Sequence, residues 1–168
     1  MMLEKFMKPV IRMILLLALL PSLISCQGNF LAKGPVVIPK KQMIPLSDGI
    51  QEGIWRTKDL HILYRFQKTQ PDLVSFSGEI VFEPWLEIGF SRMDRFQLDV
   101  FFLNTGGQVL GSQPVYLIAN AEIDVELNRF NRRLTLPSGT TAVSFGYDAK
   151  VINAGNDDGM DSYDFWYP

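Results

Sequence analysis

Apolar and polar residues alternate with a period of two along most of the chain beyond Trp55, and this pattern restricts the fold more than any other feature. Ile62, Tyr64 and Phe66 alternate with Leu63, Arg65 and Gln67. Val74, Phe76, Ile80 and Phe82 alternate with Ser75, Ser77, Glu79 and Glu83, with Gly78 in the apolar register and Val81 as an exception. Phe96, Leu98, Val100 and Phe102 alternate with Gln97, Asp99 and Phe101. Successive strand side chains point to opposite faces, so each run describes a half-buried strand. Gly78 inside such a run signals a bulge or the close approach of another backbone.

Turn chemistry divides these runs. Asn104-Thr105-Gly106-Gly107 supplies the positive φ of a hairpin tip, and Pro137-Ser138-Gly139 is a second turn signal. Further strands are expected at Val109–Ile118, Ile123–Leu127, Arg133–Leu136 and Thr141–Tyr147. No amphipathic helix stands out, and Pro84 to Arg95 is expected as a helical turn or a long loop. Short strands at this spacing predict an all-β domain over residues 54–168, an antiparallel β-sandwich with immunoglobulin-like or jelly-roll topology. Phe76, Ile80, Phe82, Leu98, Val100, Phe102, Val143 and Phe145 are its expected core.

The front of the chain is of another kind. Lys5, Lys8 and Arg12 precede an apolar run from Met13 to Leu20, broken by Pro21, and Leu23-Ile24-Ser25-Cys26 closes the segment. A basic flank, an apolar centre and a small-residue exit form the pattern of an export signal that is later removed. With its cysteine, this stretch resembles the lipobox of bacterial lipoproteins. The resemblance covers residues 1–26 alone. It implies that residues 1–25 are a cleaved signal peptide and that Cys26 carries diacylglycerol on its sulfur and an amide-linked acyl chain. Two or more chains anchor a protein stably where one does not. In that family an aspartate after the cysteine tends to retain the protein in the inner membrane. Gln27 stands there, so the resemblance implies a bacterial cell envelope location with the outer membrane favoured. Residues 26–53 then read as the lipidated cysteine and a tether, interrupted by Gly28, Gly34, Pro35, Pro39 and Pro45. Val36-Val37-Ile38 has the makeup of a short edge strand, but the surrounding prolines favour a linker.

Charge and residue inventory exclude several functions. The whole chain carries a formal net charge of −2, and removing Lys5, Lys8, Arg12 and Glu4 leaves the mature part more acidic. No concentrated basic surface suits phosphate backbones, so no nucleic-acid partner is expected. Cys26 is the only cysteine, and lipidation consumes it, so no internal disulfide is expected. His61 is the only histidine and has no triad partner motif. One histidine and one lipidated cysteine disfavour a zinc site, since structural sites want four Cys or His ligands and catalytic ones usually three protein ligands. Glu79, Glu83, Glu87, Asp94 and Asp99 are the carboxylate supply for a glycosidase pair, but Glu79, Glu83 and Asp99 fall on expected solvent faces. Asn156, Asp157, Asp158 and Asp161 are the best calcium candidates. Aligned as an EF-hand loop, however, the segment has Ala154 at the first ligand position and Phe165 at the twelfth, so no metal or other cofactor is expected.

Two clusters remain. Trp85, Trp166 and Tyr167 could present aromatic rings to a sugar or partner, although the aromatic tail is expected to pack back on the sandwich. Arg129, Arg132 and Arg133 could meet a phosphate or carboxylate, although a solvated hairpin tip is the plainer account. These features predict a non-catalytic structural or interaction module on a membrane anchor, with an envelope protein or glycan as partner. The alternative is a carbohydrate-binding module using the exposed aromatics.

Overall fold

The computed structural model describes residues 36–123, 128–153 and 162–167. The signal segment, Cys26, Asn156–Asp161 and most of the expected Ile123–Leu127 strand lie outside these residues. Within them the chain forms two antiparallel sheets packed face to face, as the alternation predicts. Strands β1 (Ile44–Pro45), β5 (Arg92–Leu103), β6 (Val109–Glu122), β8 (Ala142–Ile152) and β9 (Ser162–Tyr167) make the first sheet, in the order β1-β8-β5-β6 with β9 also on β8. Strands β2 (Ile50–Arg56), β3 (Leu60–Gln70), β4 (Leu73–Phe82) and β7 (Arg129–Thr135) make the second, in the order β2-β3-β4-β7. The chain leaves the second sheet after β4, forms the β5–β6 hairpin in the first, and returns to place β7 beside β4. This interleaving ties the sheets together and settles a pairing order that alternation alone leaves open.

The core lies between the inner faces. All eight expected core residues are buried there, Phe82 being the most accessible at 4%. Phe145 is its hub, with ring contacts to Trp55, Tyr64, Phe76 and Phe130 at centroid distances of 5.5 to 6.2 Å. Such edge-to-face and tilted pairs add to the area term. The hairpin tip forms as expected: Asn104 Oδ1 accepts from the Gly106 and Gln108 amides, and Gly107 takes φ 78°. Gly78 marks close approach rather than a bulge, because a Cβ there would lie 2.6 Å from the Phe130 ring and 2.7 Å from the Leu63 carbonyl oxygen.

Four expectations need correction. First, the tether ends earlier than residue 53. Val37 bridges Gln108, Ile44-Pro45 pairs with β8, and β2 begins at Ile50. The prolines that argued for a linker do not prevent isolated bridges, and Ile38 gains burial by docking on the outside of the first sheet with Phe101, Leu103 and Ala142. Second, this covering segment breaks the alternation in β5, where Phe101 is buried on the outer face. Asp99, expected to face solvent, is only 2% exposed. Third, Arg129 to Arg133 belong to strand β7 and not to a hairpin tip. Fourth, the aromatic tail packs back on the sandwich as expected, but as an edge strand, β9, paired with β8 from Tyr147 to Ile152. The Pro84–Arg95 connection holds one short helix, α1 (Pro84–Gly89), with proline in its first turn.

Burial raises the Asp99 carboxyl above the ordinary carboxylate range, and the Gln97 amide, donating to both oxygens at 2.9 and 3.1 Å, offsets this only in part. The folded state therefore holds this proton more tightly than the unfolded chain. Through this group stability is greatest below the ordinary carboxylate pKa. It falls as pH rises from there to the raised value, then stays low. Asp99→Asn should abolish that fall and be more stable than the parent at neutral pH, as measured by urea titration at acid and neutral pH. Equal pH profiles for the two proteins would refute the assignment.

Candidate functional site

The outer faces of the two sheets differ. The first is partly covered by the 36–43 segment and crossed by an Arg95–Asp148 and Arg95–Asp164 network at 2.8 and 3.3 Å. The second is open and concave, with a groove of about 820 Å³ lined by residues of all four strands. Strand register places its side chains in rows. One row runs Glu52, Arg65, Ser77, Asn131, and the next runs Ile54, Leu63, Glu79, Arg129. Two cross-strand ion pairs sit at opposite corners: Arg65–Glu52 at 3.1 Å and Arg129–Glu79 at 3.0 Å. Both are solvent-exposed, so each contributes little to stability, about 0–1 kcal/mol. Between them Ile54 and Leu63 form an apolar floor that water can reach, at 50% and 40% exposure. Small Ser77 keeps the middle of the face low. An apolar floor between paired charges suits contact with a partner better than plain solvation.

Arg129 and Arg133 lie on this face, and Asn131 separates them. Arg132 falls in the register of Phe130 and Leu134, which are buried, yet Arg132 itself is exposed at the sheet's edge. The three arginines therefore do not form one cluster. The aromatic candidates are likewise dispersed. Trp166 and Tyr167 are neighbours on β9 and point to opposite faces. Tyr167 packs inward against Trp55 and Tyr147 at 5.3 and 6.2 Å, whereas Trp166 is 59% exposed on the outer face. Trp85, on α1, meets Tyr163 edge-on at 5.2 Å. No shared plane joins these three rings.

Missed by the sequence reading is a buried polar cluster where the β2–β3 turn meets β8 and β9. Asp59 has no exposed surface, and the Tyr147 hydroxyl donates to its Oδ2 at 2.8 Å while lying 2.9 Å from Thr57 Oγ1. Desolvation raises the Tyr147 hydroxyl far above the ordinary phenol value, so it stays protonated and able to donate. Lys58 Nζ sits 3.5 Å from Asp59 Oδ1 and donates to the Tyr163 hydroxyl at 2.9 Å. His61 Nδ1 lies 3.7 Å from Glu83 Oε1. This cluster pins the turn to the distant strands β8 and β9. No period or motif in the sequence marks it, because the partners are 88 and 105 residues apart.

Among the described residues no three His, Cys, Asp or Glu side chains gather as a metal site, and no helix is long and apolar enough to cross a membrane. The fold defines the chain as an all-β sandwich with one open, chequered outer face. No family model, curated protein or solved structure matches it.

Proposed function

We propose that this chain is a bacterial envelope lipoprotein, anchored through Cys26, that acts as a non-catalytic interaction module. The observation that carries the reading is the open face of the second sheet, where Ile54 and Leu63 lie exposed between the Glu52–Arg65 and Glu79–Arg129 pairs. The segment beginning at Val36 packs on the opposite side of the sandwich, against Phe101, Leu103 and Ala142. A chain entering there from a membrane leaves the second sheet free to meet a partner. The lipobox-like Leu23-Ile24-Ser25-Cys26 supports the anchor, and Gln27 supports the outer membrane. A protein partner accounts for the mixed face better than a glycan, because sugar recognition favours coplanar exposed rings and Trp85, Trp166 and Tyr167 are dispersed.

Two experiments test this. Cys26→Ser should release the protein from the membrane fraction, since acyl chains and not a spanning helix would hold it. Firm attachment of that variant, or an unmodified Cys26 by mass spectrometry, would overturn the anchor. A photo-crosslinker at Leu63, in the native envelope, should capture one stoichiometric protein. Capture of glycan, or turnover of an envelope polymer by the purified domain, would overturn the interaction reading.

A further inference from the structure

We propose that two copies of this chain associate edge to edge through β2, antiparallel about a two-fold axis at Ile54, joining their second sheets into one continuous sheet. The inference goes beyond the partner reading above and rests on the geometry of the edges.

An edge strand presents unpaired backbone groups, and most folds blunt them. Here three edges are defended. Strand β6 carries Pro114 and two register shifts, opposite Leu98/Asp99 and Phe102/Leu103. Strand β7 carries only positive charges, Arg129, Arg132 and Arg133, so a second copy would meet like charge. The outer edge of β8 is divided between β1 and β9, and the only charge on β9 is Asp164, again repulsive to itself. Strand β2 has seven residues, no proline and no register shift against β3, and its charges are of both signs.

The direction of its backbone can be worked out. The Thr57 amide donates to the Leu60 carbonyl at 2.9 Å, which makes Thr57–Leu60 the hydrogen-bonded pair that closes the β2–β3 turn. Antiparallel pairs alternate between bonded and non-bonded, so Arg56, Ile54 and Glu52 turn their N–H and C=O groups away from β3. The Gln42 side-chain amide confirms this by donating to the Arg56 carbonyl from the free side at 3.2 Å. Among the described residues it is the one hydrogen bond to the backbone on that edge, and an incoming strand can replace an exposed side chain. Beside the edge, a crevice of about 370 Å³ separates β2 from residues 41–45.

Pairing two such edges about Ile54 sets Ile54 opposite Ile54 and Glu52 opposite Arg56, twice. The residues brought together are those whose backbone groups point outward, so the ladder and the side chains agree on one register. Opposite charges directly across strands favour that register, and exposed Ile54 gains an apolar partner. The two-fold is perpendicular to the sheets, so both 36–43 segments lie on the same side of the dimer and both open faces on the other. The groove of each copy then continues across the junction. A short edge pairs weakly in dilute solution, and confinement to one membrane raises the effective concentration.

Oxidative or short bis-maleimide crosslinking of the full lipidated chain in its native membrane tests this, each signal being read against the unsubstituted chain. Ile54→Cys should give a dimer of this chain, because paired residues lie about 5.5 Å apart at Cα, within disulfide reach. Leu63→Cys, on the same face but one strand inward, should give a band several-fold weaker. Adding Glu52→Arg to Ile54→Cys should abolish the dimer, and adding Arg56→Glu to that pair should restore it. Circular dichroism should show parental strand content throughout, since all these side chains are exposed. Equal crosslinking at positions 54 and 63, capture of a different protein at 54, or a dimer that survives Glu52→Arg would each overturn the inference.

Discussion

Phe145→Ala should lower the unfolding free energy by about 3–5 kcal/mol, the largest single loss expected in this sandwich. The ring has no exposed surface and meets aromatic side chains of β2, β3, β4 and β7 across the layer. Truncation removes its transfer free energy and leaves a cavity that strands held in two ladders cannot close. Small domains retain roughly 5–15 kcal/mol in total, so the variant should be marginal at 37 °C. Urea unfolding followed by tryptophan fluorescence measures this, with Trp55 reporting at 5.5 Å from the ring. A loss below about 1 kcal/mol would show that the sheets do not pack on Phe145 as described, since such a value belongs to deletion of one methylene.

Gly78→Ala should destabilise by about 1–3 kcal/mol, the range for overpacking, although alanine ordinarily outperforms glycine inside a strand by about 0.5–1 kcal/mol. Two atoms set the sign. The added methyl would fall 2.6 Å from the Phe130 ring, which can shift, and 2.7 Å from the Leu63 carbonyl oxygen, which is held in the ladder. Gly78→Ala with Phe130→Leu should therefore recover only the part of the loss that the ring causes. Gly89→Ala, at the end of α1 with nothing within 4 Å of its Cβ, is the control and should lose no stability. The measurement is the midpoint of thermal unfolding, and a Gly78→Ala protein as stable as its parent would refute the close approach. Because Leu63 and Gly78 both border the open groove, the same substitution should also weaken whatever crosslinks at Leu63.

Strand existence and facing were legible because burial on one face writes itself into sequence at period two. Ile62, Phe66, Phe76, Phe82 and Phe102 are buried where alternation places them. Turns were legible for a similar reason, since Asn104–Gly107 and Gly139 need local backbone conformations that few residues adopt. The candidate site was legible only in fragments. Arg129 and Arg133 were singled out, but as members of a loop cluster with Arg132. Their place on a shared face with Ile54 and Leu63 depends on β7 pairing with β4 and on β3 lying between β4 and β2.

Local chemistry along the chain thus determined the strands from β3 to β8, the turns at Asn104–Gly107 and Gly139, and the core residues of those strands, but not β1, β2 or β9. It also carries the lipobox-like front end. The tertiary structure alone decided pairing order, because alternation records that a side chain is buried and not what buries it. It decided that Phe101 is covered, since the cover is a segment some 60 residues earlier in the chain, and that Asp99 is buried. It joined Asp59 to Tyr147 across 88 residues, a contact with no local signature. Among the described residues it also left β2 as an edge strand without proline, register shift or charge of a single sign, because an edge is defined by the absence of a neighbour, and only the assembled sheet shows which strand lacks one.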